Sequence, residues 1–311
     1  MNHFTEVTDS LGRAPSPVIQ GSLLNIIKYQ SERPVGGQET ARIWRHTGRD
    51  GVELFRGSYK KYQAARHYHT VPAIGIVAQG AMTSYCRGET HTLPTDTVFL
   101  INPEEVHAPG PAKGPGWVLR VFYFEDSFYQ KLSDSFGHNP LRFSQVFVKD
   151  QELANTLLAL HRALEAENDA LEIDSAFISI FARLAEKYAC DPAQVFLATN
   201  EKSKINRVKQ YLEEHHIRNL TLEELADVGQ LSPYYLLRTF QKTVGLTPHA
   251  YLTQIRIEVA MRLLREGKTI SDAALDTGFT DQSHFTRHFK RIMGVTPGQF
   301  HSRWPLLENN V

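Results

Sequence analysis

The sequence is poor in cysteine and in long apolar runs. Cys86 and Cys190 are the only cysteines among 311 residues, and neither belongs to a CxxC motif. A structural disulfide is therefore not expected, which favours a reducing cytoplasm. No apolar run approaches the roughly 18 residues of a transmembrane helix. The N-terminus, MNHFTEVTDSLGRAPSP, is polar and carries two acidic residues, unlike a signal peptide.

The sequence also lacks the common motifs of catalysis. It contains no nucleophile elbow, no GxxxxGK[ST] phosphate-binding loop and no HExxH helix. We therefore expect neither an enzyme nor a bound cofactor.

The formal net charge of zero conceals an asymmetry along the chain. Residues 1–203 hold 20 Lys and Arg against 23 Asp and Glu, whereas residues 204–303 hold 14 against 10. A modestly basic C-terminal third permits nucleic-acid binding without requiring it.

The length suggests two domains, and the pattern changes along the chain. Residues 1–40 contain Gly, Pro and Ser clusters and are predicted to form an arm. Over residues 41–145, short β-rich runs alternate with turn signals, which is typical of an all-β barrel or sandwich. The runs are ELFRGSY, AIGIVAQ, AMTSYC, DTVFLIN and WVLRVFYF, separated by QG, RGE, NPEE and APGPAKGPG.

The remaining sequence has helical periodicity. Residues 150–165 and 174–188 each predict a helix, and the two predict an antiparallel hairpin within residues 146–190. Residues 191–203 are predicted to be a linker, and residues 204–303 an all-α domain.

This last domain contains one unit twice. LADVGQLSPYYLLRTFQKTVGLTPHAY at 225–251 aligns with ALDTGFTDQSHFTRHFKRIMGVTPGQF at 274–300. Capping patterns at Thr221 and Thr269 predict the start of each first helix. Ser232 and Asp281 predict the start of each second helix, so each unit is a predicted helix-turn-helix.

The second helix of each unit has a buried and an exposed face. Leu236 and Phe240, like Phe285 and Phe289, lie four residues apart and predict the buried stripe. The opposite faces carry residue types that contact bases and phosphates. These predicted DNA-binding residues are Tyr234, Leu237, Arg238 and Gln241 in the first unit, and Gln282, Ser283, Thr286, Arg287 and Lys290 in the second.

The spacing of the units suits duplex DNA. Residues 248–265 predict a connecting helix of 18 residues, about 27 Å long. A rod of that length can hold two recognition helices roughly 34 Å apart, which is one turn of duplex.

LSPYYLLRTFQKTVGLTPHAYL and AALDTGFTDQSHFTRHFKRIMGVTPGQF resemble the DNA-binding domain of the AraC/XylS family of bacterial transcription regulators. The resemblance covers residues 204–303 closely. It implies base contacts from the second helix of each unit. Leu237 stands where many relatives have a polar residue, so base reading by the first unit is expected to rest more on Arg238 and on thymine-methyl contacts.

The β-rich half is similar to the cupin-like sensor domains of such regulators. In the cupin pattern G-x5-H-x-H-x3-E-x6-G, His67, His69 and Gly80 match, but Ala73 stands at the glutamate position. His67 and His69 are expected on a strand with their side chains on one face. His107 supplies a third imidazole, so these three are weak candidates for a metal site.

The resemblance implies a pocket without metal, and we predict that the histidines contact a polar effector. The predicted effector-binding residues are His67, His69, Tyr85, His91, His107, Trp117 and Tyr123. The effector is expected to be a sugar, an amino acid or an aromatic compound.

Together these features predict a multi-domain α+β protein: a cupin-like β-barrel with a helical hairpin, followed by an all-α double helix-turn-helix domain. The predicted function is a cytoplasmic transcription regulator that binds double-stranded promoter DNA, contacts RNA polymerase and dimerises through the hairpin. Three alternatives remain: a metal-dependent cupin enzyme fused to a DNA-binding domain, a regulator controlled by a partner protein or by abundance, and a structural or RNA-binding helical module.

Overall fold

The computed structural model describes residues 39–45, 51–138, 140–166, 170–190 and 200–302. An antiparallel β-domain comes first, followed by a helical hairpin and a helical domain. The predicted arm and most of the predicted linker lie outside the described residues.

The β-domain contains eight described strands, and all their pairings are antiparallel. The sheet order is β1-β2-β7-β3-β5-β8, and β4 and β6 also pair with β3. The strands are β1 (Thr40–Arg45), β2 (Val52–Tyr59), β3 (Ala73–Cys86), β4 (Glu89–Pro94), β5 (Val98–Ile101), β6 (His107–Pro111), β7 (Trp117–Phe124) and β8 (Phe147–Val148).

Strand β3 is the centre of the domain. Its first half pairs with β5 and β7, and its second half pairs with β4 and β6. The predicted turn at QG is instead an irregularity between Val77 and Gln79, so two predicted strands are one bent strand. Gly80 has a φ of 75°, and a Cβ there would lie 2.1 Å from the Gly116 carbonyl oxygen. Only glycine lets the bent strand pass so close to β7.

Two further strand predictions were inaccurate. Residues 66–69 do not form a strand, because His67 makes only a single antiparallel bridge with His107. The start of the Pro/Gly-rich segment APGPAKGPG belongs to β6 rather than to a loop. Proline is tolerated there because β3 is the one described strand that pairs with β6, and on the other side Pro109 has only to accept, from the Ala64 amide.

The described helices are α1 (Asp126–Ser135), α2 (Gln151–Glu165), α3 (Ala170–Tyr188), α4 (Asn200–Glu214), α5 (Leu222–Gly229), α6 (Pro233–Val244), α7 (Pro248–Arg265), α8 (Ile270–Asp276), α9 (Gln282–Met293) and α10 (Pro297–His301). Within the described part of the chain, no helix is both long and apolar enough to cross a membrane.

Helix α2 is fixed to the sheet by a buried polar contact. The Arg120 guanidinium on β7 donates to His161 Nδ1 and to a Glu165 carboxylate oxygen, each at 2.8 Å. Since His161 Nδ1 accepts, its Nε2–H donates, and it does so to the Phe55 carbonyl at 3.1 Å. This network satisfies buried polar groups and orients α2 across strands β2 and β7.

The hairpin of α2 and α3 depends on Asp150. Its carboxylate accepts from the Leu153 amide at 3.1 Å, which caps α2, and from Arg183 on α3 at 2.7 and 2.8 Å. The Tyr188 hydroxyl donates to the same carboxylate at 2.8 Å. One side chain therefore starts one helix and holds the next against it.

The helical domain consists of two helix-turn-helix units, α5–α6 and α8–α9, joined by α7. The four predicted caps accept from the backbone as expected, at Thr221, Ser232, Thr269 and Asp281. In the predicted capping box, however, the Glu224 carboxylate accepts from Tyr211 Oη and Arg218 rather than turning back to Thr221.

We expect Asp150→Asn to lower the free energy of unfolding by about 2–4 kcal/mol, because it removes the buried charged partner of the Arg183 guanidinium and leaves the exposed Glu152 carboxylate. Urea denaturation of the full chain measures this. Arg183 holds the pKa of Asp150 well below its usual range, so this stabilisation is present at neutral pH and disappears in strong acid.

Glu152→Gln is the matched control, because Glu152 also contacts Arg183 but its side chain is 75% exposed. Its effect should stay within about 0.5 kcal/mol. Equal effects of the two substitutions would show that Asp150 does not hold the hairpin.

Candidate effector cavity and DNA-binding helices

A cavity of about 60 Å³ lies between the β-domain and the end of helix α9. Its wall comes from β2, β3, β5, β6, β7 and β8, from the segment before β3, and from the last turn of α9 with the glycine that follows it. The lining residues are Phe55, Tyr59, Tyr62, Ala64, His67, His69, Ala73, Met82, Ser84, Phe99, Ile101, His107, Pro109, Trp117, Leu119, Val121, Tyr123, Phe147, Ile292, Met293 and Gly294.

Three histidines meet in this cavity. The ring of His67 lies 5.0 Å from that of His69 and 4.4 Å from that of His107, between centroids. His69 and His107 are 5.0 Å apart. The backbones of His67 and His107 also exchange two hydrogen bonds, of 3.0 and 2.8 Å, which hold the segment before β3 against β6.

The histidines are neutral at physiological pH. The pKa is lowered to about 3 for His67 and to about 4 for His107, and it lies well below the usual value for His69. Burial is the main cause in all three, and the neighbouring imidazoles contribute to the lowering for His67 and His69.

Two aromatic residues predicted to bind effector also line the cavity. Tyr123 meets His69 edge to face at 4.9 Å, and burial raises its pKa. Trp117 is fully buried, and its indole Nε1–H has no acceptor among the described residues. A buried donor without a partner is costly, which makes Trp117 a candidate contact for a ligand oxygen.

The other two predicted effector residues lie outside the cavity. The ring of Tyr85 is covered by the Arg66 guanidinium at 3.8 Å. His91 on β4 packs against Phe147 at 5.1 Å and lies 3.7 Å from the Glu89 carboxylate. The structure therefore brings five of the seven predicted residues together.

Sequence reasoning missed the tyrosines and the helical part of the wall. Tyr59 is aligned with Trp117 in the pairing of β2 with β7, a register that could have indicated its place. Nothing in the pattern of α9 indicates that Ile292, Met293 and Gly294 reach the cavity, because each also fits the interior or turn of a helix-turn-helix unit.

The end of α9 is tied to the β-domain by its backbone carbonyls. The Ala65 amide donates to the Arg291 carbonyl at 3.0 Å. The Tyr62 hydroxyl donates to the carbonyls of Lys290 and Arg291 at 3.4 and 3.2 Å. These donors satisfy carbonyls that a helix leaves unpaired in its last turn.

Helix α7 forms a second line of contact with the β-domain. Arg265 Nη2 donates to both carboxylate oxygens of Glu53, at 2.7 and 2.9 Å. The Gln254 amide donates to the Tyr68 carbonyl at 3.0 Å, and the ring of Tyr68 stacks on that of Tyr251 at 5.5 Å. The two parts of the chain are therefore packed together in this state.

A second cavity, of about 140 Å³, lies between α7 and the β-domain and shares His69, Tyr123 and Met293 with the first. Glu53 and Glu258 also line it. Burial and, to a smaller extent, the charges of Glu104 and Glu213 raise the pKa of Glu258, the Gln254 amide lowers it, and the net value is about 7.

The predicted recognition helices present the expected faces. Leu236 and Phe240 on α6, and Phe285 and Phe289 on α9, are fully buried. Tyr234, Leu237, Arg238 and Gln241 are exposed, and so are Gln282, Ser283, Arg287 and Lys290, while Thr286 is half-buried. Tyr234 is 73% exposed, unusually high for an aromatic residue that packs within its own domain.

The predicted DNA-binding face of α9 borders the β-domain. An open cleft of about 770 Å³ is lined on one side by all five predicted contact residues of α9, together with Arg291, and on the other by Tyr62 and Gln63. The carboxylate of Glu39 fixes this second side by accepting from the amides of residues 60–62 at 2.6–3.0 Å.

A ligand-binding β-domain packed on two helix-turn-helix units defines a ligand-responsive, DNA-binding transcription regulator. Residues 51–181 match the family described as AraC-like ligand binding domain, and residues 225–303 match a helix-turn-helix domain family. The chain belongs to the AraC family of transcription regulators. The predicted family, fold class and DNA-binding regulatory function are confirmed.

Similar curated proteins agree with this family. The chain is 32% identical over 233 residues to the uncharacterized HTH-type transcriptional regulator YbfI of Bacillus subtilis, covering 74% of this chain and 83% of YbfI. It is 25% identical to the transcriptional activator RhaS of an Enterobacter species, covering 74% and 85%. The bifunctional transcriptional activator and DNA repair enzyme AdaA of Bacillus subtilis is 36% identical, covering 33% of this chain and 51% of AdaA.

The fold is also similar to that of solved ToxT structures. An apo variant of ToxT from Vibrio cholerae aligns with a TM-score of 0.53 at 14% identity, covering 83% of this chain and 99% of ToxT. Unsaturated fatty acid bound ToxT aligns with a TM-score of 0.50 at 14% identity, covering 82% and 98%.

We expect Glu258→Gln to make unfolding less dependent on pH. A carboxyl whose pKa is higher in the folded state lowers stability as pH rises, here between about 4.5 and 7. Glutamine keeps an acceptor for the Gln254 amide and carries no charge. At pH 8 the variant should be more stable than the wild type by up to about 3 kcal/mol, and at pH 4.5 equally stable.

Urea denaturation at several pH values measures this difference. Glu266→Gln, which alters an exposed carboxyl just beyond the end of α7, is the control and should leave the pH profile unchanged. If the free energy of unfolding depended on pH in the same way for Glu258→Gln and the wild type, the Glu258 carboxyl would not have a raised pKa in the folded state.

Proposed function

We propose that a small molecule entering the first cavity controls promoter binding by moving the end of recognition helix α9. The observation that carries this proposal is the cavity wall itself, in which Ile292, Met293 and Gly294 close a space otherwise formed by the β-domain. A ligand there contacts the sensor and the DNA-binding helix at once. Its binding free energy therefore differs between the arrangement in which α9 packs against the β-domain and one in which α9 has moved away.

The size of the cavity supports coupling between ligand and helix. At about 60 Å³ it is smaller than the roughly 150 Å³ cavity that accepts benzene in an engineered protein. An effector as large as a sugar, an amino acid or an aromatic acid therefore has to enlarge it. The last turn of α9 is the part of the wall that belongs to another domain and is held by few hydrogen bonds.

The chemistry of the wall indicates the kind of effector. Most of the lining is apolar, which suits a hydrocarbon or aromatic body. The Trp117 indole Nε1–H can donate to a ligand oxygen, and Nε2 of His67 and of His107 can accept from a hydroxyl, so the wall suits an oxygen-bearing group such as a hydroxyl or a protonated carboxyl. The fatty acid of bound ToxT has the same two features, an apolar body and an oxygen-bearing head.

We further propose that the docked arrangement restricts access to DNA. Gln282, Ser283 and Arg287 share their cleft with Tyr62 and Gln63 of the β-domain. A duplex lying along α9 would meet these sensor residues. Separation of α9 from residues 62–65 would then open the groove-reading face.

For DNA itself, we propose that Arg238 and Arg287 contact bases, that Tyr234, Leu237, Gln282 and Ser283 contribute to base reading, and that Gln241, Thr286 and Lys290 position the backbone. Exposure of nearly all these side chains on the second helix of each unit supports this division.

We also propose a homodimer through the α2–α3 hairpin, where Ile178 is 57% exposed, and a contact with RNA polymerase.

A regulator without catalytic activity, acting in the cytoplasm, fits the site better than a metal-dependent enzyme. The described lining of the first cavity contains no carboxylate to act as a general base. Control without an effector would be supported if no sugar, amino acid, fatty acid or aromatic acid raised the melting temperature of the full chain.

We expect Arg287→Ala to weaken binding to the specific promoter site by about 1–3 kcal/mol and to relax selection at one base pair. Fluorescence anisotropy with specific and scrambled duplexes at fixed salt measures both effects. Lys290→Ala is the matched control from the same helix, and it should weaken binding to both duplexes about equally. If Arg287→Ala bound the specific site as tightly as the wild type, α9 would not be the helix that reads the major groove.

We expect Tyr62→Phe to strengthen DNA binding by the effector-free protein about 2- to 10-fold, because it removes the hydroxyl that holds the Lys290 and Arg291 carbonyls. The same anisotropy assay measures this change. Tyr188→Phe also removes a hydroxyl hydrogen bond, but within the hairpin, and should leave affinity unchanged. An affinity of Tyr62→Phe equal to or below the wild type would contradict the restricting role of the docked state.

A further inference from the structure

We propose that His67, His69 and His107 bind one divalent transition metal ion of the zinc type. One ring nitrogen of each histidine lies within 4.8 Å of one ring nitrogen of both others. Nitrogens around a tetrahedral zinc ion are roughly 3.4 Å apart, so each pair has to approach by at most about 1.4 Å.

Hydrogen bonds to the backbone orient two of the rings as metal ligands. His67 Nδ1 lies 2.8 Å from the Ala65 carbonyl oxygen, and His107 Nδ1 lies 3.0 Å from the Glu105 carbonyl oxygen. A carbonyl only accepts, so Nδ1 carries the proton in both rings and Nε2 keeps its lone pair. Metal-binding histidines are usually held in this way, by a carbonyl or carboxylate on the nitrogen that does not bind the metal.

The backbone makes this arrangement rigid. Each accepting carbonyl belongs to the residue two positions before its histidine, and the two histidines are joined by a pair of main-chain hydrogen bonds. His67 and His107 therefore keep their relative positions without an ion. His69 makes no such carbonyl contact among the described residues, and it is the ring free to turn toward an ion.

The ligand set selects the class of metal. Three imidazoles without a carboxylate suit ions of intermediate softness such as Zn²⁺, Co²⁺ or Ni²⁺, whereas Mg²⁺ and Ca²⁺ require oxygen ligands. Ala73 lines the same cavity and provides no oxygen. Three protein ligands leave a fourth position for water or for an oxygen of the effector.

The charge of the ion is not isolated. Three neutral imidazoles leave two positive charges on the ion in a mostly apolar cavity. Glu53 and Glu258 line the adjoining cavity, which His69 also borders. Their carboxylates can offset part of that charge across His69.

The site shares its cavity with the proposed effector, so its regulatory meaning rests on the proposed function. Metal binding is measured without DNA. A failure of the metal site is therefore seen separately from a failure of effector control.

The test uses the full chain without an affinity tag, freed of metal by chelation and titrated with Co²⁺. We expect visible absorption typical of four-coordinate Co²⁺, saturating at about one ion per chain, and its loss on addition of Zn²⁺. His69→Ala should weaken Co²⁺ binding at least about 100-fold. Since the described hydrogen bonds of His67 and His107 do not involve His69, the variant should keep the wild-type melting temperature without metal.

His288→Ala is the matched control. His284 and His288 lie one turn apart on α9, with ring centroids 4.5 Å apart, and could take up Co²⁺ on their own. The control should bind Co²⁺ as the wild type does. Absence of the absorption in the wild type, its persistence in His69→Ala, or its loss in His288→Ala would each overturn the proposal. If His69→Ala folds poorly, the melting temperature of the wild type still tests the proposal, because Zn²⁺ should raise it.

Discussion

The packing of the last turn of α9 against the segment between β2 and β3 is the constraint on which the rest of this structure depends. A helix ends with carbonyls that need donors, and here several donors come from the β-domain: the Ala65 amide and the Tyr62 and Tyr59 hydroxyls. Gly294 ends α9 at a φ of 73°, and a Cβ there would lie 2.6 Å from the Tyr59 hydroxyl. The helix can end so close to the barrel only because glycine follows it.

The composition of the cavity follows from this contact. Beside α9, His67 and His107 are buried and His69 is half-buried, and the lowered pKa values of all three keep them neutral. Neutral imidazoles can accept hydrogen bonds or bind a metal, whereas charged ones can do neither at that nitrogen. The Trp117 indole is buried by the same closure and lacks an acceptor among the described residues. A cavity lined in this way is prepared for an oxygen-bearing ligand or an ion.

Helix α7 also supplies polar contacts that hold the helical domain against the β-domain. The Glu53–Arg265 pair, the Gln254 amide and the buried carboxyl of Glu258 lie along one helix that also connects the two DNA-binding units. Movement at this face therefore affects the position of both recognition helices. Interfaces of this mixed kind, with charged pairs beside cavities, are more easily separated than a continuous apolar core.

Much of the architecture was predictable because it is local. Several elements depend only on neighbours within a few residues and were located from spacing alone. They are the helix starts at Ser232 and Asp281, the buried phenylalanines of α9 and the strand WVLRVFYF. Turns and short strands were harder: QG is a bend inside β3, and the proline-containing HAPGP is a strand, because in both cases pairing with distant residues outweighs local preference.

The sequence by itself determined that the chain has a β-domain with a histidine cluster and two helix-turn-helix units, since periodicity, capping residues and the internal repeat are local properties. Tertiary structure alone decided how closely His107 approaches His67 and His69, that Tyr85 and His91 lie elsewhere, and that Ile292, Met293 and Gly294 complete the cavity. The reason is that these contacts join residues up to 235 positions apart. A side chain suited to a helical core is also equally suited to the wall of a neighbouring domain's cavity.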